Sequence, residues 1–124
     1  MRKEQVYNEY LEIKKKVWPE AIISNTYDML LIPRVPLPPK FNLPYTPLLI
    51  VIDYYNDYLP PSAYVTRKLR IYGRKSSHLA EELTELYMLE KGWVKLCYKI
   101  IGKWQGGLKN FVLMALKFLE GLED

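Results

Sequence analysis

Residues 33–61 read PRVPLPPKFNLPYTPLLIVIDYYNDYLPP and contain eight of the nine prolines of the chain. The ninth, Pro19, lies upstream of them. Proline lacks a backbone N–H and pushes the preceding residue out of helical geometry, so this density of prolines argues against a helix anywhere between residues 19 and 61. The apolar runs of this region are therefore predicted to be strands joined by proline-rich turns.

Four strands are predicted in and around this region, at residues 21–25, 27–32, 47–55 and 63–72. The fourth alternates most clearly, since Val65, Leu69 and Ile71 fall on one face. Residues 33–47 are predicted to form an extended loop between the second and third strands. Because sequential strands with short links usually pair with their neighbours, we expect an antiparallel meander.

Helical spacing of apolar residues flanks the predicted strands on both sides. A first helix is predicted over residues 3–18, because Val6, Tyr10 and Ile13 share one stripe. Pro19 ends this helix. A final helix is predicted to cross the sheet, with Leu108, Phe111, Val112, Ala115, Leu119 and Leu122 facing inward.

A further helix is predicted over residues 77–91, between the fourth strand and the final helix. Ser77 supplies its N-terminal cap, and Lys91 with Gly92 is a typical ending. Its predicted apolar side consists of Leu79, Leu83, Leu86 and Tyr87. Residues 93–101 alternate again and are predicted to be extended.

The composition is that of an ordinary globular protein, with 124 residues, 49% hydrophobic and 26% charged. A chain of this length is predicted to form one domain, residues 1–124. The predicted order is helix, four strands, inserted helix, extended segment and C-terminal crossing helix. Because the helices gather at the ends of a run of strands, this order indicates an α+β fold and argues against a parallel βαβ sheet.

The sequence lacks the residues or motifs that several kinds of site and segment require. A single cysteine and a single histidine allow neither an intramolecular disulfide nor a Cys/His zinc site, and we expect no metal and no cofactor. The glycine pair at 106–107 lacks the lysine and hydroxyl spacing of a phosphate-binding loop. The first ten residues contain no apolar signal region, and the longest apolar run, residues 111–116, is too short to span a bilayer. We expect a soluble cytoplasmic protein with no membrane partner.

Cys97 is the candidate catalytic residue. The alternation over residues 93–101 places it with Lys95 and Lys99, whereas Val94 and Leu96 face the core. Nearby positive charge favours the thiolate, which is the nucleophilic form of cysteine. The alternative is that Cys97 is a small buried apolar residue, and a shift of the strand by one residue would turn it inward.

The order of features resembles the ubiquitin-conjugating enzymes. Residues 37–65, LPPKFNLPYTPLLIVIDYYNDYLPPSAYV, match the family's proline turn, apolar strand, tyrosine-proline corner and basic fourth strand. Further on, residues 92–97, GWVKLC, then Trp104 and the helix from Leu108 resemble the family's glycine, catalytic cysteine, downstream tryptophan and crossing helix. The resemblance extends over nearly the whole chain.

This resemblance implies that Cys97 accepts the C-terminal carboxyl of a ubiquitin-like protein as a thioester and passes it to an amine. The implied partners are a ubiquitin-like protein and its activating enzyme. Trp104 would support the loop beside the cysteine, and Pro60 and Pro61 would form the corner before the fourth strand. The family's His-Pro-Asn segment, whose asparagine is thought to stabilise the oxyanion, has no counterpart here, so that role is assigned to no residue.

Two other functions remain open at this stage. A catalytically inactive module of the same fold would hold a ubiquitin-like protein or another subunit, with Arg2, Lys3 and the lysines at positions 14–16 as a basic docking face. A nucleic-acid function would use the cations at positions 67–75 and the aromatic Tyr64 and Tyr72. The alternation divides those cations between two faces, which argues against nucleic acid.

Overall fold

The structure is a computed structural model that describes residues 2–52, 60–97, 104 and 106–124. The end of the third predicted strand and residues 98–101 of the extended segment lie outside these ranges. Its helices are α1 (Lys3–Lys16), α2 (Leu86–Glu90) and α3 (Leu108–Glu120), with one 3-10 turn, Glu81–Leu83. Its strands are β1 (Ile22–Ile23), β2 (Met29–Pro36), β3 (Tyr45–Val51), β4 (Ser62–Thr66), β5 (Leu79–Ala80) and β6 (Trp93–Leu96).

The six strands form one antiparallel sheet in the order β1-β2-β3-β4-β6-β5. The α+β class is thereby confirmed. The first four strands follow one another as a meander, but the described part of the sheet has six strands where the sequence predicts four. The extra strands arise because β6 pairs with β4 on one side and with β5 on the other. The extended segment is therefore an internal strand of the sheet.

One hydrophobic core joins the sheet to α1 and α3. The register aligns Leu30, Ile50 and Ala63 in a single buried row across β2, β3 and β4. All six residues predicted to face inward from the final helix are buried, so that prediction is confirmed. From α1, the buried residues are Val6 and Ile13.

The Glu9 side chain of α1 binds the first residues of α3. The Glu9 carboxylate accepts the backbone N–H groups of Leu108 at 3.0 Å and Lys109 at 3.3 Å, which are otherwise unpaired donors at the start of α3. Gly107 precedes them with φ of +89°, and a Cβ there would lie 3.0 Å from Glu9 Oε1. Glycine is required at this position both by its backbone conformation and by the close approach of Glu9.

The predicted loop over residues 33–47 is wrong at both ends. β2 continues to Pro36 and β3 begins at Tyr45, and these two residues are paired. The register shifts between Ile32 and Val35, and an irregularity of this kind admits a proline such as Pro33 into a strand. β1 pairs with β2 at Leu30 and Leu31. The pairing with β1 therefore needs no backbone N–H from Pro33 or Pro36.

The fourth predicted strand also ends earlier than expected, at Thr66. The Leu69 N–H donates to the Thr66 carbonyl at 3.2 Å, which closes a turn. Leu69 and Ile71 are nevertheless buried, as the alternation predicts. An isolated bridge between Phe41 and Ile71 continues the contact with the loop before β3.

The predicted helix over residues 77–91 is wrong. Residues 79 and 80 form β5, and only residues 86–90 are α-helical. The Thr84 hydroxyl donates to the Ala80 carbonyl at 2.6 Å and accepts the Lys95 N–H at 2.8 Å. These bonds fold the segment back onto β6 and compete with a continuous helix. As a result, Leu83, Leu86 and Tyr87 are exposed by 59%, 70% and 55% instead of forming a buried face.

Replacing Thr84 with valine tests the role of this hydroxyl. The variant keeps the shape of the side chain but removes the hydrogen bonds of the hydroxyl with the Ala80 carbonyl and the Lys95 N–H. We expect the free energy of unfolding to fall by about 1–3 kcal/mol, measured by urea denaturation. The control is Thr66→Val, because the Thr66 hydroxyl accepts a longer bond, 3.3 Å, from the exposed Lys68 N–H. Equal losses in the two variants would contradict the assignment.

Candidate functional site

Cys97 directly follows the last residue of β6 and is exposed. Val94 and Leu96 point into the core, whereas Trp93 and Lys95 are half-buried on the other face. The alternation predicted from Trp93 to Cys97 is thus confirmed, including the outward position of the cysteine. Cys97 is thus an exposed residue directly after the last residue of β6.

The face of the sheet that carries Cys97 is largely apolar. The register aligns Leu31, Leu49, Tyr64 and Lys95 in one row, of which the first two are half-buried. A neighbouring row on the same face joins Met29, Val51 and Ser62. Among the described residues, Lys95 is the charged member of these two rows, and the alternation along β6 places Cys97 on the same face as Lys95.

The segment from residue 84 to residue 90 packs against β6. The Thr84 hydroxyl accepts the Lys95 N–H at 2.8 Å, and α2 contacts the same strand. Tyr64, the partner of Lys95 in β4, is buried; burial raises the pKa of its phenol, and the negative charges of Tyr87 and Glu85 raise it further. The exposed Leu86 lies in the segment that packs against β6.

The structure brings His78 beside Cys97 through the backbone. The Cys97 N–H donates to the His78 carbonyl at 2.7 Å, which continues the pairing of Leu79 with Leu96 by one residue. The His78 ring packs edge-on against Phe118, with 5.5 Å between ring centroids, and its Nε2 lies 3.2 Å from Asp124 Oδ1. Sequence reasoning missed this placement because it assigned residues 77–91 to a helix.

Ser77 is not a helix cap, contrary to the prediction. Its hydroxyl donates to Asp124 Oδ2 at 3.2 Å. Ser76 is buried, and its hydroxyl accepts the His78 N–H at 3.1 Å while donating to the main-chain oxygen of Asp124. The polar residues at 76–78 therefore bind the last residues of the chain instead of starting a helix.

The other residues singled out by the resemblance lie in positions consistent with structural roles. Trp104 is half-buried and donates its indole N–H to the Gly107 carbonyl at 3.0 Å, next to the start of α3. Pro60 is half-buried and Pro61 is buried immediately before β4. Lys99, the second lysine predicted to flank the cysteine, lies outside the described residues.

The basic groups that the sequence offered for anionic partners are divided among separate contacts. Arg67 and Lys75 both pair with Glu81, at 3.2 and 2.8 Å, and their hydrogen bonds lower the pKa of that carboxyl. Arg70 donates to the backbone carbonyls of residues 67 and 69. On α1, exposed basic side chains remain at Arg2, Lys3, Lys14, Lys15 and Lys16. Of the cations at positions 67–75, Arg67, Arg70 and Lys75 thus have partners within the protein.

No group of three or more histidine, cysteine, aspartate or glutamate side chains that could hold a metal occurs among the residues that the structure describes. Within the same residues, no helix has the length and apolar character needed to cross a membrane. The chain matches no protein-family model, no curated protein and no solved structure.

The exposure of Cys97 predicts how it reacts with a small thiol reagent. Iodoacetamide should modify the folded chain at a rate within about tenfold of the urea-denatured chain, because access does not require unfolding. Intact mass gives the rate directly, since Cys97 is the single cysteine. Cys97→Ser is the blank for modification at other side chains. Labelling of the native protein only after denaturant is added would show that the thiol is buried.

Proposed function

We propose that this chain carries a ubiquitin-like protein as a thioester on Cys97 and passes it to an amine. The observation that carries the proposal is the exposed thiol at the end of β6, a strand held inside the sheet on both edges. A nucleophile fixed to a rigid element and open on one side is what an exchange between two large proteins requires. The resemblance to ubiquitin-conjugating enzymes supplies the class of substrate.

The proposed fold is a ubiquitin-conjugating-like domain in which β1 to β4 form the family's meander and β6 leads to the acceptor cysteine. The crossing helix is α3, whose five buried residues, together with Leu122 just after it, belong to the core. Val94 and Leu96 of β6 face this core, whereas Cys97 falls on the opposite face of the sheet. We propose that the donor protein approaches the thiol from that face.

The proposed reaction consists of two acyl transfers. The Cys97 thiolate attacks the carbonyl carbon of the thioester that links the modifier to its activating enzyme, and the thiolate of that enzyme leaves. An acceptor amine then attacks the new thioester, an amide bond forms, and Cys97 leaves as the thiolate while the amine gives up its proton to solvent. Each step passes through an oxyanion that needs hydrogen-bond donors.

The activating enzyme is proposed to dock on α1. Its exposed lysines at positions 14–16 occupy the last turn, where Lys14 lies 3.4 Å from the Tyr10 hydroxyl and Lys16 pairs with Glu12 at 3.6 Å. Lys109 also binds Glu12 at 2.8 Å, and its hydrogen bond lowers the pKa of that carboxyl. The basic face is thus attached to α3 and keeps a fixed orientation relative to the sheet. We place the reaction in the cytoplasm, where a reducing environment keeps Cys97 as a free thiol.

A thioester of ubiquitin with 2-mercaptoethanesulfonate tests the chemistry without an activating enzyme. We expect an adduct whose mass equals that of the chain plus the ubiquitin thioester, less one molecule of 2-mercaptoethanesulfonate, formed about tenfold faster than the same probe reacts with glutathione. Dithiothreitol should release it, and Cys97→Ser should not form it. Addition of free lysine should then discharge the adduct to ubiquitin-lysine. The proposal would be overturned if Cys97 reacted with the ubiquitin thioester no faster than glutathione does, in the native chain as well as in the denatured chain.

A second candidate is a binding module without chemistry, and a specific observation favours it. Leu83, Leu86 and Tyr87 are large, exposed and within five residues of one another in sequence. Exposed apolar side chains that form a patch mark surfaces that bind other proteins. In a binding titration, this function predicts that ubiquitin binds Cys97→Ser as well as wild type and loses affinity for Leu86→Asp. In the assay above, it predicts that wild type forms no adduct.

A further inference from the structure

The residues that follow α3 turn back and contact distant parts of the chain. Lys40 Nζ donates to the Glu120 carbonyl at 2.7 Å and lies 3.4 Å from Glu123 Oε1. The Tyr72 hydroxyl donates to Glu123 Oε2 at 3.2 Å, and this bond raises the pKa of the phenol. The Lys40 side chain is only 11% exposed. The ammonium group of Lys40 therefore has a fixed place between the end of α3 and Glu123.

Asp124 makes three further contacts, all with consecutive residues. The hydroxyl of Ser76 donates to its main-chain oxygen, that of Ser77 to Oδ2, and His78 Nε2 lies beside Oδ1. Ser76 is 4% exposed, so its hydroxyl depends on partners within the protein. We call residues 121–124 the strap. Its Glu123 carboxylate contacts Lys40 and Tyr72, whereas Asp124 contacts Ser77 and His78 through its carboxylate and Ser76 through its main-chain oxygen.

The strap is connected to Cys97 by two hydrogen bonds in series. Ser76 accepts the His78 N–H at 3.1 Å, and the His78 carbonyl accepts the Cys97 N–H at 2.7 Å. The strand that begins one residue later, β5, has just two residues and lies at the edge of the sheet. Two residues of ladder cannot by themselves offset the backbone entropy lost on ordering a strand. The Thr84 hydroxyl restrains β5 at Ala80, its second residue, and the contacts of the strap add restraint at the residues just before its first.

We propose that the strap is a conformational device that holds β5 against β6 and thereby fixes the backbone of Cys97. Release of Glu123 and Asp124 frees residues 76–78, breaks the bond between His78 and Cys97, and leaves the thiol on an unrestrained chain. A partner that binds the acidic side chains of the strap, or supplies its own carboxylates to Lys40 and the 76–78 segment, would change the placement of the nucleophile. The inference rests on the proposed function in one respect, namely that Cys97 is the nucleophile whose position the strap controls.

Amide hydrogen exchange of the full chain tests the strap directly. In a variant that lacks Glu123 and Asp124, and with them the main-chain oxygen that Ser76 binds, we expect the Cys97 amide to exchange about tenfold faster, the effect of losing hydrogen bonds to charged groups. The control is Glu120→Ala, which removes an exposed carboxylate from the end of α3 and leaves the backbone bond to Lys40 in place. The amide of Ile50, in the central strand β3, reports global opening.

Faster exchange at Cys97 with unchanged exchange at Ile50 supports the strap, provided that Glu120→Ala resembles wild type. No change at Cys97 overturns it. Equal acceleration at both amides also overturns it, because the acidic residues would then stabilise the whole fold and not this edge. The result is independent of any modifier, so a chain that fails to form a thioester but shows local acceleration retains the strap and loses the proposed function.

Discussion

The pairing of β6 with two neighbours is the constraint on which the candidate site depends. β4 fixes one edge of β6 through the partners Val65 and Val94, and β5 fixes the other through Leu79 and Leu96. The Thr84 hydroxyl stabilises the pairing of β5 with β6, because it donates to the Ala80 carbonyl and accepts the Lys95 N–H. A strand held on both edges presents its next residue in a fixed direction, and that residue is Cys97.

The elements with strong local patterns could be predicted from the sequence. The final helix has apolar residues at helical spacing from Leu108 to Leu122, and burial follows that stripe. The prolines exclude helix from the middle of the chain because they lack a donor, which is a local property. The outward position of Cys97 follows from the period of two along β6, once Val94 and Leu96 are taken as the inward residues.

The segment from Ser77 to Lys91 could not be predicted, for a physical reason. Its apolar residues have helical spacing, yet Leu79 and Ala80 gain more from pairing with β6 than from a helical turn. Such pairing is a contact between residues far apart in sequence, and the local pattern of residues does not indicate it. The juxtaposition of His78 with Cys97 and the contacts of Asp124 have the same origin, since each depends on where distant segments meet.

The most direct measurement of this placement is the set of backbone nuclear Overhauser effects between residues 78–80 and residues 95–97. The structure predicts cross-strand effects that connect Ala80 with Lys95, Leu79 with Leu96 and His78 with Cys97. The opposite result would be nuclear Overhauser effects between residues three apart throughout 77–91, as in a continuous helix, and none between this segment and β6. That result would contradict the placement of His78 beside Cys97. Cys97 would then lie at the end of an edge strand, and both the fixed nucleophile and the strap would lose their structural basis.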